Sequence, residues 1–422
     1  MRIAWLCNAP VQAISEALGR SGSINSGWLD GAFGDVMSTG EHELCILYPQ
    51  STTAAVERSS GHGFEAYGFA WGSGKAAERK AARDLFVEVL KTCRPDIVHI
   101  FGSENEFGEV MAEAARDCGL LERTVVSIQG LVSVCSRQFM PGFSNAWLRR
   151  STLSEFKNRC TLYRQRESYR RRGKSEERLI GSVHHIIGRT KWDEGCCRLI
   201  NPDIEYHHVG ESLRPEFYVS SPCRDSASHR LYFSQGGKPI KALYQLVEAL
   251  PAVAKRVPDV KVVVAGSTGL RTGPLRGASY DRYLAKQMDR LGVRERFEFV
   301  GSLGPDGVIN QMSGCSAFVS TSTIENSPNS MGEAMMMGLP CVATFVGGVP
   351  DIAEHGKEAL LVPFNETELL AYALIRVLTD EVLADDLANA GRKRALLNHS
   401  RTANRDALLG TYVRIVSCGV WE

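Results

Sequence analysis

Short apolar runs alternate with amphipathic stretches along almost the whole chain of 422 residues. In the first half, the runs at residues 2–7, 43–49, 95–102, 123–130 and 184–189 have the composition of buried strands. Helical patterns, such as those at 76–93 and 104–119, separate them. This alternation is typical of parallel sheets covered by helices. In such sheets, ligands bind at the loops where the strands end.

A second set of strands follows a polar stretch that contains Pro and Ser, and we interpret residues 205–229 as a linker. The predicted strands are 230–235, 259–266, 296–301, 316–321, 340–345 and 359–364, with a helix at 242–257. Residues 365–422 read as helical throughout. The prediction is therefore an α/β chain with two doubly wound, Rossmann-like domains, at residues 1–204 and 230–398.

Composition excludes several classes of protein. A net charge of +1, with 44% hydrophobic and 23% charged residues, is ordinary for a soluble globular enzyme and does not suggest a nucleic-acid-binding protein. The twelve cysteines include no CxxC pair, which favours reduced thiols in a cytoplasmic protein. No signal peptide is recognised, and the apolar runs are shorter than the roughly 18–20 residues that span a bilayer.

Glycines and lysines mark the first turn of the second domain. A predicted strand leads into Gly236 and Gly237, and Lys238 and Lys241 precede the next helix. Glycines let backbone amides approach a phosphate closely, and Lys241 would add a positive charge. An ordinary turn with surface lysines is the alternative for this segment taken alone.

Two carboxylates, Glu325 and Glu333, flank a Ser-Pro-Asn-Ser turn. Ser327 is the expected N-cap and Pro328 the first helical residue. Carboxylates accept pairs of hydroxyl hydrogen bonds, which suits the diols of sugars and ribose. Taken singly, each Glu could equally be a surface residue. Three amides of the first helical turn would face a ligand, those of Asn329, Ser330 and Met331.

A third glycine loop, Gly347-Gly348, follows the predicted strand 340–345. Three ligand-type loops would thus meet at one edge of one parallel sheet. This convergence favours a binding site over three unrelated surface turns.

Residues 230–365 resemble the retaining nucleotide-sugar glycosyltransferases of family 4, which have the GT-B fold. The resemblance lies in segments 239–250, 262–266, 296–301, 325–342 and 347–352. It implies two Rossmann-like domains that face each other across a cleft, with a C-terminal helix, 399–422, packing back on the first. Residues 188–218 are also similar to a subgroup linked to surface polysaccharide assembly.

The resemblance implies roles for particular residues. Lys241 and Glu325 are the catalytic positions, contacting the donor pyrophosphate and the donor sugar, and Glu333 would hold the ribose. Ser26-Gly27-Trp28 is similar to the family's glycine loop below the donor phosphates. The other implied donor-binding residues are Gly27, Gly236, Gly237, Lys238, Gly266, Val300, Gly301, Ser327, Asn329, Ser330 and Met331.

Some positions depart from the family pattern. Gln235 or the Gly237-Lys238 pair stands where an Arg is usual, and Ala242 replaces the Gly after the Lys. Gln129 stands where the first domain often has a His. His99 lies inside another strand, and we interpret it as a core or supporting residue. No catalytic base is assigned in the first domain.

We therefore expect retaining transfer of a hexose-type sugar from a nucleoside diphosphate, UDP preferred, to a glycan or lipid-linked acceptor. Surface polysaccharide or lipopolysaccharide biosynthesis is the expected setting. No cofactor is expected, and metal independence is predicted because no Asp-x-Asp motif is suitably placed. A non-catalytic nucleotide-sugar-binding protein, an epimerase and a glycan phosphorylase are the alternatives.

Residues 149–178 carry eleven Arg and Lys residues against four Glu. Contact with anionic lipid on the inner face of the membrane is one interpretation. A solvated, Arg-rich helical excursion is the other, and the sequence leaves both open.

Overall fold

The computed structural model describes residues 1–20, 27–50, 56–72, 74–222, 224–272 and 278–418. The chain forms two compact units. The first comprises Met1–Ser133, Arg170–Arg214 and His399–Glu422, and the second comprises Val134–Tyr169 and Pro215–Asn398.

The first unit contains an eight-stranded sheet in the order β3-β4-β2-β1-β5-β6-β7-β8. All neighbouring strands are parallel except β3 and β4, which form an antiparallel pair. The strands are β1 (Arg2–Leu6), β2 (Glu43–Gln50), β3 (Glu57–Gly61), β4 (Phe64–Ala70), β5 (Ile97–Phe101), β6 (Thr124–Ser127), β7 (His185–Gly188) and β8 (Glu205–His208).

The second unit contains a six-stranded, fully parallel sheet in the order β11-β10-β9-β12-β13-β14. Its central strands are buried runs of Val, Phe and Ala, as expected for a sheet covered on both faces. The strands are β9 (Arg230–Phe233), β10 (Lys261–Ala265), β11 (Phe297–Gly301), β12 (Ala317–Ser320), β13 (Cys341–Thr344) and β14 (Leu360–Val362).

Helices connect and cover the strands of both sheets. They are α1 (Gln12–Ala17), α2 (Gly27–Met37), α3 (Ala76–Cys93), α4 (Glu106–Asp117), α5 (Val132–Arg137), α6 (Asn145–Leu148), α7 (Leu153–Lys157), α8 (Leu162–Ser182), α9 (Lys191–Ile200), α10 (Glu216–Val219), α11 (Leu243–Arg256), α12 (Ser279–Arg290), α13 (Pro305–Ser313), α14 (Asn329–Met336), α15 (Val349–Ile352), α16 (Thr367–Thr379), α17 (Glu381–Asn398) and α18 (Arg401–Cys418). Two doubly wound, Rossmann-like α/β units result, as the sequence predicted. Among the described residues, no helix combines the length and apolarity needed to cross a membrane.

Three strands of the first sheet lack the apolar pattern that identified the others. β3 is mostly polar and exposed, and β4 alternates rather than forming a continuous apolar run. β8, with sequence EYHH, is polar and lies at the edge of the sheet, where His208 is exposed. The predicted linker 205–229 therefore begins with a sheet strand and also contains α10.

Residues 134–169 belong to the second unit, although the sequence prediction assigned them to the first domain. Their apolar side chains explain the difference. Phe139, Met140, Leu148 and Leu162 are buried in the same hydrophobic cluster as the α11 side chains. The Phe143 ring packs edge-to-face against Tyr244 and Tyr283 of this unit, at centroid distances of 5.5 and 5.3 Å.

His99 is a core residue of the first unit. Its side chain is fully buried, with Nδ1 2.6 Å from the Tyr412 hydroxyl on α18 and Nε2 2.6 Å from the Ser127 hydroxyl. Burial lowers the pKa of His99 to about 3, so its imidazole is neutral at physiological pH. The contact with Tyr412 also ties α18 to β5 within this unit.

Candidate functional site

Loops from neighbouring strands meet at the carboxyl edge of the second sheet, which is the edge where its strands end. The Gly236 amide donates to Ala265 O at 3.0 Å, and the Gly266 amide donates to Gly301 O at 2.8 Å. These bonds join the loops after β9 and β10 to the end of β11. Four predicted site residues, Gly236, Gly237, Gly266 and Gly301, are therefore brought together; Val300 precedes Gly301 in β11.

Two glycines allow these loops to approach more closely than a side chain would permit. A Cβ atom at Gly237 would overlap the Ser267 carbonyl oxygen. One at Gly347 would overlap the Glu325 carbonyl oxygen, which also accepts a hydrogen bond from the Gly348 amide at 3.0 Å. The glycine loop after β13 therefore sets the position of the Glu325 backbone.

Lys241 and Glu325 form an ion pair between the loops that follow β9 and β12. The Lys241 ammonium donates to Glu325 Oε1, and the Ser322 hydroxyl donates to the same oxygen at 2.6 Å. The two charged side chains are 17% and 12% exposed, so water screens the pair only in part. Both of these hydrogen bonds are to Oε1. Among the described residues, none is seen to bond Oε2, so this oxygen is available to a ligand.

A short 3₁₀ turn, Pro239–Lys241, orients Lys241. The turn ends at Ala242, whose φ of +49° lies in the left-handed region that favours glycine. Ala242 is the residue at which the sequence departs from the family's Gly. The structure keeps the conformation: the Thr321 hydroxyl donates to Ala242 O at 2.9 Å, and the side chain of Ala242 is fully buried.

Lys238 adds a second cation near the ion pair. Desolvation by the surrounding residues lowers the pKa of Lys238, repulsion from Lys241 lowers it further, and attraction to Glu325 opposes the shift. The Lys238 ammonium thus lies within the electrostatic field of both partners, close to the position where the family has its Arg.

The helix after Glu325 begins one residue later than predicted. Pro328 is the N-cap and α14 starts at Asn329, so Ser327 lies before the cap. The Met331 amide donates to Pro328 O at 2.9 Å, a helical bond that makes it unavailable to a ligand. Asn329 and Ser330 form the first turn of α14, and Glu333 is buried farther along the helix, with 7% of its surface exposed.

Buried hydroxyls that were not predicted from the sequence support the ion pair. Thr321, Ser322 and Thr323 directly follow β12 and are at most 3% exposed. The Thr344 hydroxyl donates to Ser322 O at 2.7 Å, which fixes the backbone of the residue that binds Glu325. A polar Thr-Ser-Thr run after an apolar strand was the available signal.

Gly27 is the first residue of α2 in the first unit, and a Cβ there would lie 2.8 Å from Arg214 Cγ. Ser26, its predicted neighbour in the glycine loop, lies outside the described residues. The first unit also has a cavity of about 60 Å³ at the carboxyl edge of its sheet. The cavity is too small to enclose a sugar. Its polar lining includes Asp35, Gln129 and Glu211.

Gln129, which stands in place of the family's His, accepts a hydrogen bond from Arg189 Nη2 at 3.2 Å. Arg189 also forms a buried ion pair with Glu211. These side chains form a fixed polar group at the edge of the cavity.

Some basic residues of the stretch 149–178 form ion pairs within the first unit. On α8, Arg171 forms an ion pair with Glu106 at 3.4 Å, and Arg178 forms one with Glu109. Burial alone would raise the pKa of Glu109, but hydrogen bonds led by that of Arg178 outweigh it and lower this pKa to about 2. Arg171 and Arg178 are therefore paired with carboxylates of the first unit and are not free basic residues.

Replacing Gly347 with Ala should test whether the close approach of the loops is essential. Gly347→Ala adds a steric overlap with Glu325 O to a strained φ of +52°, and should cost about 1–3 kcal/mol of unfolding free energy. Gly356→Ala is the matched control, because Gly356 has a φ of +77° but no atom within 4 Å of the added Cβ. Urea denaturation measures both. Equal losses in the two variants would contradict the packing argument.

Much of the second unit matches a known protein family. Residues 229–380 match the model described as glycosyl transferases group 1. The N-acetyl-alpha-D-glucosaminyl L-malate synthase of Bacillus anthracis is 23% identical over 215 residues, which are 51% of this chain and 52% of that enzyme. The chain thus spans about half the length of the curated relatives that it matches first.

Solved structures extend the likeness to the whole fold. Anabaena HepE in complex with UDP and glucose aligns with a TM-score of 0.67 at 15% identity, covering 98% of this chain and all of that one. WaaG, described as a glycosyltransferase involved in lipopolysaccharide biosynthesis, aligns with a TM-score of 0.60 at 15% identity, covering 97% of this chain and all of that one. The comparisons confirm the predicted resemblance: the chain has the fold of the GT-B glycosyltransferases, and residues 229–380 match their group 1.

Proposed function

We propose that this protein is a retaining glycosyltransferase that takes a hexose-type sugar from a nucleoside diphosphate sugar. The observation that carries the proposal is the Lys241–Glu325 pair at the carboxyl edge of the second sheet. There a cation suited to a diphosphate lies beside a carboxylate suited to sugar hydroxyls. The match to glycosyl transferases group 1 over the same residues supports it.

In this proposal, the second unit binds the donor. Lys241, helped by Lys238, neutralises the diphosphate, which the backbone amides at the start of α14 also approach. Glu325 keeps Lys241 in place through Oε1 and accepts a hydroxyl of the donor sugar at Oε2. Glu333 accepts the ribose hydroxyls. UDP is the preferred nucleotide, and the complex of HepE with UDP and glucose supports that choice.

The reaction breaks the bond between the sugar C1 and the diphosphate oxygen, and forms a bond from C1 to an acceptor hydroxyl oxygen. Attack on the same face would retain the configuration, with the acceptor proton passing to a phosphate oxygen of the leaving nucleotide. Lys241 and Lys238 stabilise the negative charge that develops on that phosphate. The proposal needs neither a metal ion nor a cofactor.

We assign the acceptor to the surface of the first unit around the mouth of the small cavity, whose polar lining includes Asp35, Gln129 and Glu211. A glycan or lipid-linked acceptor in surface polysaccharide or lipopolysaccharide assembly is the proposed class. Its support is the likeness to WaaG and the resemblance of residues 188–218 to a polysaccharide-assembly subgroup.

Replacing Lys241 with Ala should lower turnover of the donor at least about 100-fold, because the leaving diphosphate loses its main counter-charge. Hydrolysis of UDP-, GDP- and ADP-sugars measures this without knowledge of the acceptor. Lys357→Ala is the control, since Lys357 is an exposed lysine of the same unit. Circular dichroism should show that both variants are folded.

Near-wild-type hydrolysis by folded Lys241→Ala would contradict the catalytic role. A wild-type protein that binds a nucleotide sugar but never cleaves it would instead be a non-catalytic binder. The hydrolysis assay should distinguish these two functions, because this chain lacks the Arg and His that are usual in the family.

We also propose contact with an anionic membrane through α7 and its flanks, residues 149–159. Glu155 of α7 accepts hydrogen bonds from the amide and hydroxyl of Ser279, at 3.0 and 2.9 Å, and so faces the rest of the second unit. Leu153 and Phe156 consequently point outward and are 90% and 76% exposed. The exposed basic residues around them are Arg149, Arg150, Lys157 and Arg159. An apolar pair ringed by cations suits an anionic lipid surface.

Replacing both Leu153 and Phe156 with Ser should reduce co-sedimentation with phosphatidylglycerol vesicles several-fold, because the apolar anchor is lost. Leu199→Ser is the matched control, as Leu199 is 88% exposed but lies on α9. Purely zwitterionic vesicles should bind the wild type weakly. Equal sedimentation of all variants, or no binding of the wild type to anionic vesicles, would exclude this surface.

A further inference from the structure

Three histidines and a glutamate gather at the amino ends of the last two strands of the first sheet. His185 opens β7 and is paired in register with Glu205, which opens β8. His207 lies two residues after Glu205 and so faces the same side of the sheet. His184 precedes β7 in a bend, and its carbonyl accepts the Glu205 amide at 2.8 Å.

The donor atoms of these side chains have the spacing of metal ligands. His185 Nδ1 lies 3.2 Å from His207 Nε2 and 3.5 Å from Glu205 Oε2. Zinc bonds to nitrogen and oxygen are about 2.0–2.2 Å long, so neighbouring donors of a tetrahedral site lie roughly 3.3–3.6 Å apart. One donor atom from each of His184, His185 and Glu205 lies within 4.8 Å of the other two.

Two histidines of the cluster are buried and the third is exposed to solvent. His185 and His207 are each 4% exposed. His207 Nδ1 has no hydrogen-bond partner in the described part of the chain, and Glu205 Oε1 lies 3.9 Å from it. His184 is exposed, which gives an ion a path from solvent.

We infer that His184, His185 and Glu205 bind a divalent transition metal of the zinc class, with the buried His207 in contact with His185 beside them. Imidazole and carboxylate are ligands that such ions accept, and a tetrahedral arrangement suits zinc. The residues escape a search for metal motifs because 20 positions separate His185 from Glu205, and only strand pairing joins them.

The ion would have a structural role and hold β8 against β7. β8 has four residues, mostly polar, and pairs with β7 alone at the end of the sheet. A metal shared by both strands would hold β8 in register where apolar packing is weak. The cluster lies at the amino ends of β7 and β8, while the small cavity lies at the carboxyl edge of the same sheet. We therefore expect the metal to change stability and not turnover.

The test is to measure zinc binding to tag-free, chelator-treated protein. Isothermal titration calorimetry gives the affinity and stoichiometry, and thermal unfolding gives the effect on stability. We expect one zinc ion per chain and a zinc-dependent rise in melting temperature. His184→Ala and Glu205→Gln should each weaken zinc binding at least about 10-fold. Both residues are at least partly exposed, so these variants should fold without metal. His208→Ala, an exposed histidine on the opposite side of β8, is the control and should bind like the wild type.

Cobalt supplies an independent readout, because tetrahedral Co²⁺ absorbs strongly in the visible range. The wild type should develop this absorption, and His184→Ala should lose most of it. Failure of the wild type to take up zinc, or equal zinc affinity in His184→Ala and the wild type, would overturn the inference. Neither outcome bears on the proposed glycosyl transfer.

Discussion

The ion pair between Lys241 and Glu325 is the contact on which the proposed donor site depends. Both side chains are largely shielded from water, where removing one partner of an ion pair is costly. The pair is therefore surrounded by supports: the Ser322 hydroxyl on Glu325 Oε1, and the Gly348 amide on Glu325 O. A ligand that binds here meets groups already held in position, which reduces the ordering cost of binding.

Close backbone packing makes this arrangement possible. Gly237 and Gly347 lie where a side chain would overlap a neighbouring carbonyl, so the loops after β9, β10, β12 and β13 can meet at one edge. Ala242 departs from the family's sequence pattern but keeps the backbone conformation expected of a glycine. It lacks the freedom of the family's glycine but still adopts a left-handed φ of +49°, because a hydrogen bond from Thr321 and complete burial stabilise it.

The second sheet could be predicted almost entirely, because its strands are largely apolar runs that are mostly buried, except in the edge strand β11. β3 and β8 could not, since polar edge strands have no such run, nor could β4, whose buried and more exposed residues alternate. The membership of residues 134–169 in the second unit depends on where Phe143 and its neighbours pack, and no local pattern encodes a contact with Tyr244 and Tyr283. Lys241, Glu325 and the glycine loops could be predicted as candidates from local patterns. The support from Ser322 and the histidine cluster at β7 and β8 could not, since they depend on contacts that no local pattern encodes.

The central claim is that the carboxyl edge of the second sheet binds a ribonucleoside diphosphate, and calorimetric titration tests it most directly. UDP, GDP and ADP, each with its 2′-deoxy analogue, would be titrated into the wild type and into Glu333→Gln. The account predicts that the wild type binds at least one of the three and prefers the ribose form, and that Glu333→Gln loses this preference. No binding of any nucleoside diphosphate, or an unchanged ribose preference in Glu333→Gln, would contradict it.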